Sequence, residues 1–130
     1  VTNLRAGRHT CFGRLVVDLR AGSPGFSVRY VPVLLGDATG EPVALRGGAF
    51  LDVIVRAPAH DDEGNPTYRP TRPSEAVAVG GFRTFRQVRF LGTFEGITQI
   101  GLGVRAGLPF RVFVLRGATT RLVIDVAHRW

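Results

Sequence analysis

Ser23, Ser27 and Ser74 are the only serines in this 130-residue chain, and none lies in a nucleophile-elbow motif. Histidine is as scarce, at His9, His60 and the nearly terminal His128. The carboxylates show no spacing that marks a general-acid and general-base pair. His60, Asp61, Asp62, Glu63 and Asn65 collect hard-metal donors in one stretch. Their spacing is not that of an EF-hand loop, and the run reads as a solvated acidic turn. Cys11 is the only cysteine, so no disulfide forms within the chain; it reads as a thiol packed near a strand start. Acyl transfer, metal catalysis and redox chemistry are therefore without a motif here, and an enzyme is not expected.

Binding chemistry is better represented. In an extended segment Arg83, Phe85, Gln87 and Arg89 share one face, with Phe82, Arg86 and Phe90 on the other. A ring between hydrogen-bonding side chains can stack on a sugar or a base. The same pattern also describes an ordinary solvent-facing strand. Gln99, Gly101 and Gly103 share a face too, leaving room above the sheet. That room is either a shallow ligand groove or the seat of a Phe from a facing sheet. Gly101-x-Gly103 is not a nucleotide-binding turn, since no helix start follows it. Tyr68 and Arg69 are further candidate binding groups, within a Pro-rich stretch from Ala57 to Glu75. A loop of this length is expected at the surface and more mobile than the strands.

Charge narrows the partners. All 17 basic residues are Arg, and the net charge is +7. It is unevenly spread: +4 over residues 1–30, −4 over 31–65, +4 over 66–90 and +3 over 91–130. Such a balance suits anionic partners: nucleic acid, wall polymers or lipid head groups. Guanidinium groups also match carboxylates and phosphates bidentately.

The elements that would position these residues are short strands. The chain is 45 % hydrophobic with 17 Gly and eight Pro, and no apolar run approaches a membrane span. It opens on Val1-Thr2-Asn3-Leu4 without a signal-peptide pattern, which leaves the compartment open. Strands fit at about 2–5, 14–20, 26–30, 50–56, 84–91, 97–104, 110–115 and 121–127. Turn signals separate them, including Ala21-Gly22-Ser23-Pro24-Gly25 and Gly36-Asp37-Ala38-Thr39-Gly40. A short helix is expected near Ser74 to Val79, with Ser74 as N-cap. The fold class is all-β: an antiparallel sandwich or flattened barrel of seven to eight strands in one domain spanning residues 1–130.

Two segments echo each other, Arg14-Leu15-Val16-Val17-Asp18-Leu19 and Arg121-Leu122-Val123-Ile124-Asp125-Val126. Paired antiparallel with Val16 opposite Val123, they set Arg14 against Asp125 and Asp18 against Arg121. A parallel in-register pairing would put like charges side by side.

These segments carry a resemblance. Arg5 to His9 with Phe12 to Leu19, then Val88-Arg89-Phe90-Leu91-Gly92-Thr93-Phe94-Glu95-Gly96-Ile97-Thr98, then Pro109 to Leu115 closed by Arg121 to Val126, together resemble the AMIN-like domain of envelope proteins in high-GC Gram-positive bacteria. The resemblance implies a noncatalytic, extracytoplasmic β domain, carried by secreted proteins or lipoproteins, without cofactor or metal. A lipid anchor would lie outside this chain. It implies wall polymer such as peptidoglycan, or an envelope protein, as partner rather than nucleic acid. A basic nucleic-acid-binding module and an unrecognised hydrolase are the competing readings.

Overall fold

A computed structural model describes residues 1–20, 22 and 24–130. Ala21 and Ser23 of the first strong turn signal lie outside the described residues. Eight strands form: β1 (Asn3–Arg8), β2 (Phe12–Leu19), β3 (Phe26–Val31), β4 (Ala49–Val55), β5 (Phe85–Phe94), β6 (Ile97–Val104), β7 (Phe110–Leu115) and β8 (Thr120–Ala127). They make two antiparallel four-stranded sheets, β1-β2-β8-β7 (sheet A) and β3-β4-β6-β5 (sheet B). The sheets pack as a sandwich and do not close, which removes the barrel alternative. Instead of the expected helix there is one 3₁₀ turn, Pro73–Glu75, whose N-cap is Arg72 without a side-chain cap bond. Pro73 suits the first turn of such an element because its missing N–H is an orphan donor there.

The echo segments pair as their charges require. β2 and β8 are antiparallel neighbours with Val16 opposite Val123, Arg14 opposite Asp125 and Asp18 opposite Arg121. Leu15, Val17, Leu122 and Ile124 are buried on the inner face. They pack with Leu51, Val53, Ile100 and Leu102 of sheet B in one apolar cluster. Each such side chain contributes about 1.5–3 kcal/mol on burial, far more than an exposed ion pair. One ion pair differs from expectation. Arg14 is bound by Asp125, but Asp18 takes Arg5 of β1, with Nε and Nη2 at 2.7 and 2.8 Å. Asp18 has a strand on either side, and the guanidinium of β1 meets it in a planar bidentate fork.

Sheet B is covered on its outer face as well as its inner one. The connection between β3 and β4, residues 32–48, crosses over β6. A Leu35–Pro42 bridge folds it back on itself, and Val43 N–H donates to the Leu34 carbonyl at 2.8 Å. Leu34 is fully buried over Gly101. The space above Gly101 and Gly103 is therefore filled, but by this strap rather than by a Phe of the facing sheet. A Cβ at Gly103 would stand 1.8 Å from the Arg46 carbonyl oxygen, and one at Gly101 would stand 2.5 Å from Leu34 Cδ2. Only glycine lets the strap's backbone approach the sheet so closely.

Gly103→Ala is accordingly expected to destabilise the domain by about 1–3 kcal/mol or more through overpacking. Thermal unfolding of the variant checks this. An unchanged melting temperature would show that the strap does not seat on the sheet.

Candidate functional site

β5 is bulged, and the bulge rearranges the first candidate cluster. Phe85 lies opposite Val104 and Gln87 opposite Gly103, so Arg86 is the extra residue. An extra residue reverses the alternation of faces. Phe85 therefore points into the core. It is 1 % exposed, stacked on Phe82 at 5.9 Å and packed against Gly13. Its ring is not open to a ligand, which corrects the expectation that it shares a face with Gln87 and Arg89.

Those two lie on the outer face of sheet B, where the strap takes them up. Gln87 is buried; its Oε1 accepts from Arg46 N–H at 2.7 Å and its Nε2 donates to the Ser74 carbonyl at 2.7 Å. Arg89 donates to the Ala44 carbonyl at 3.0 Å. Gln99 does the same work one strand over, accepting from Asp37 N–H at 2.9 Å and donating to Leu35 O at 2.8 Å and Asp52 Oδ1 at 3.0 Å. Both glutamines thus fasten the strap. Arg83 precedes β5 and stays exposed.

Tyr68 and Arg69 form a separate group. They line a shallow cleft of about 310 Å³ with Pro66, Pro70, Pro73 and Phe90. The Tyr68 ring meets Phe90 edge-on at 5.0 Å, and burial pushes its phenol pKa upward. The surrounding loop is surface-lying but well tied. Thr67 Oγ1 donates to the Val1 carbonyl at 2.6 Å, Val1 N donates to Pro58 O at 2.8 Å, and Ala59 is buried. Asp61 Oδ1 accepts from the backbone N–H of Asn65 and Glu63 at 2.8 and 3.0 Å. These bonds, led by that of Asn65, lower its pKa. The acidic run is a turn whose carboxylate caps its own backbone. Among the described residues no group of three or more His, Cys, Asp or Glu is gathered for a metal.

The remaining chemistry-bearing residues also have structural posts. Cys11 is exposed rather than packed, because it sits at the tip of the β1–β2 hairpin closed by His9 N–H to Phe12 O at 3.0 Å. His128 is buried between Thr84 Oγ1, 2.6 Å from Nδ1, and the His9 carbonyl, 2.8 Å from Nε2. A carbonyl only accepts, so Nε2 carries a proton; in the neutral ring Nδ1 then accepts from the Thr84 hydroxyl.

A different surface gathers exposed side chains of binding character. On the outer face of sheet A, alternation presents Phe12 and Arg14 from β2, Asp125 from β8, and Arg111 and Phe113 from β7. Asp125 is the hub. Its carboxylate is 3 % exposed and receives Arg14 Nε at 2.7 Å, Arg14 Nη2 at 2.9 Å and Arg111 Nε at 2.9 Å. Burial alone would raise its pKa; the two guanidiniums outweigh that and hold it below the ordinary 3.8. Each guanidinium also lies over both rings. Arg14 is 5.3 Å from Phe12 and 5.5 Å from Phe113, and Arg111 is 5.1 and 5.6 Å from the same two. His9 stacks on Phe12 at 4.7 Å. The Arg111 side chain is 63 % exposed, and its terminal amino groups have no partner among the described residues. One carboxylate between two guanidiniums leaves a net positive, ring-bordered patch with free donors. The sequence signal for it was the pair of period-two motifs Phe12-x-Arg14 and Arg111-x-Phe113, which the Arg83–Arg89 reading passed over.

The family model described as AMIN-like domain matches residues 1–128. No curated protein and no solved structure matches the chain.

Two variants separate structural from surface roles. Gln87→Ala is expected to cost about 1–3 kcal/mol, because Arg46 N–H and Ser74 O lose their buried partner. Full stability in a denaturant titration would contradict its role under the strap. Asp125→Asn is expected to cost about 1.5–3 kcal/mol at neutral pH. Because the folded pKa of Asp125 is depressed, its contribution is present above the unfolded value and lost as pH falls through the folded one. The gap between wild type and Asp125→Asn should therefore narrow as the pH falls from neutral through the depressed folded pKa of Asp125, which lies below the ordinary 3.8. A gap that does not narrow would mean that the carboxylate charge is not what holds β2, β8 and β7 together.

Proposed function

The chain belongs to the AMIN-like domain family, and from that premise we propose that it is a noncatalytic, extracytoplasmic cell-envelope domain that binds wall polymer through the outer face of sheet A. The family suggests the envelope location. What supports the binding face is the Arg14–Asp125–Arg111 cluster with its two Phe rings, on a sheet face that no strap covers among the described residues. Sheet B offers no equivalent, since residues 32–48 lie across it.

The chemistry of the patch suits peptidoglycan. Partly exposed rings present apolar area to the faces of pyranose units. The free N–H groups of Arg111 suit carboxylates of lactyl groups and stem peptides, which they can bind bidentately. Asp125 fixes both guanidiniums before the ligand arrives, which reduces the ordering cost of binding. Arg83 and the Tyr68–Arg69 cleft are secondary candidates for polymer contact.

Cosedimentation with purified peptidoglycan at moderate salt tests the reading. Wild type is expected in the pellet. Arg111→Ala with Phe113→Ala is expected to weaken retention by about tenfold or more, with the β signature in circular dichroism kept because Arg14 still holds Asp125 bidentately. Arg83→Ala, Tyr68→Ala and Arg69→Ala are expected to lose less. Equal retention by wild type and the double variant would remove this face. Steeply salt-dependent binding to DNA without retention on peptidoglycan would favour the nucleic-acid reading instead.

A further inference from the structure

Two open sheets have four edge strands, and three of them are guarded against pairing. β5 carries two register shifts, at Arg86 and Leu91, and its Val88 carbonyl already accepts from Ala76 N–H at 2.9 Å. β1 carries the polar side chains of Asn3, Arg5 and Arg8, and Gly7 weakens its strand character. β3 holds Ser27 and Arg29 and runs directly into Pro32. Bulges, charges and proline are the usual means of blunting an edge. β7 has no bulge, and the proline that precedes it, Pro109, turns its backbone toward β8, where its carbonyl accepts from Ala127 N–H, so it does not guard the outer edge. Phe110-Arg111-Val112-Phe113-Val114-Leu115 lacks Gly and Pro, and its register with β8 is unbroken.

The phase of the β7 ladder is fixed by Ala127 N–H donating to Pro109 O at 2.9 Å. Hydrogen-bonded pairs then recur at every second residue, so Arg111, Phe113 and Leu115 turn their backbone groups toward β8. Phe110, Val112 and Val114 turn theirs outward, and those groups have no partner among the described residues. The strand start is held at the rim of the sandwich by Tyr30, whose hydroxyl donates to Leu108 O at 2.6 Å and whose ring meets Phe110 at 5.5 Å.

We propose that β7 pairs with β7 of a second copy of this chain, antiparallel about Val112, joining two A sheets into one of eight strands. The sequence around Val112 is complementary to itself in that register. Val112 meets Val112, Phe110 meets Val114, and Arg111 meets Phe113 of the other copy. No Arg lies directly opposite Arg, which a pairing centred on Arg111 would impose. Arg111 already lies over a Phe113 ring within its own chain, and the pairing sets a second such ring beside it. The pairing stands on this edge alone and does not require polymer binding. A single strand pair is a small interface, so the association is weak and concentration-dependent.

Sedimentation velocity from about 10 µM to about 1 mM reads the association directly. The expected result is a monomer–dimer equilibrium that Val112→Pro abolishes. Proline there removes an outward N–H and spares the ladder to β8, so the far-ultraviolet spectrum should keep its β signature. A second measurement holds even if Val112→Pro fails to fold. In a Cys11→Ser background, Arg111→Cys and Phe113→Cys proteins are mixed and oxidised. Residues 111 and 113 of opposite copies form a non-hydrogen-bonded pair with Cα atoms about 4.5 Å apart, so the mixture should yield a mixed disulfide dimer well above either protein alone. A monomer throughout the concentration range would overturn the proposal. So would dimerisation unaffected by a folded Val112→Pro, or equal cross-linking in the mixture and the separate proteins.

Discussion

Asp125 carries one carboxylate deep in the outer layer of sheet A, and two guanidiniums converge on it from opposite sides. A buried carboxylate without partners would be costly, and a single exposed pair would contribute little. With Arg14 from β2 and Arg111 from β7, the carboxylate on β8 links three neighbouring strands at one rung. That rung lies 111 residues from its partner on β2 in sequence, so it ties the two ends of the chain into one sheet. The same anchoring sets both guanidinium planes over Phe12 and Phe113. Stability and the proposed binding chemistry therefore share a single constraint.

The two sheets handle their outer faces differently. Sheet B uses glycine, at Gly101 and Gly103, to admit a backbone strap, and glutamine, at Gln87 and Gln99, to hydrogen-bond it. Both glutamines satisfy strap backbone groups that would otherwise be buried without partners. Among the described residues no strap crosses sheet A, and its outer layer is instead made of charge and ring contacts. Burial on one sheet and exposure on the other follow from the residue types placed opposite each other. Glycine invites close approach; paired Arg and Phe keep solvent-facing bulk.

Much of the strand pattern was legible because period-two alternation and turn residues mark strands directly. The β2–β8 pairing could be read because Arg, Asp and aliphatic residues recur in one order in both strands, and only the antiparallel register brings opposite charges together. The Arg83–Arg89 cluster could not be placed correctly, since one unpaired residue at Arg86 exchanges the faces and leaves no local signature. The strap was invisible for a related reason. Residues 32–48 have no periodicity, and nothing in Gly101-x-Gly103 says whether the space above is empty or which segment fills it. The Asp18 partner was missed because Arg5 lies on the strand beyond, and a pairwise reading of β2 and β8 omits β1. The outer-face cluster needed the relative position of β2 and β7, which only β8 between them supplies.

We propose the open outer face of sheet A, with Asp125 as its hub, as the surface through which the domain meets the envelope. Chemical-shift mapping during titration of isotope-labelled protein with soluble muropeptides tests it most directly. The expected shifts concentrate on Phe12, Arg14, Arg111 and Phe113, with the strap over sheet B unperturbed. Shifts confined to residues 32–48 or to the 57–75 loop would contradict it.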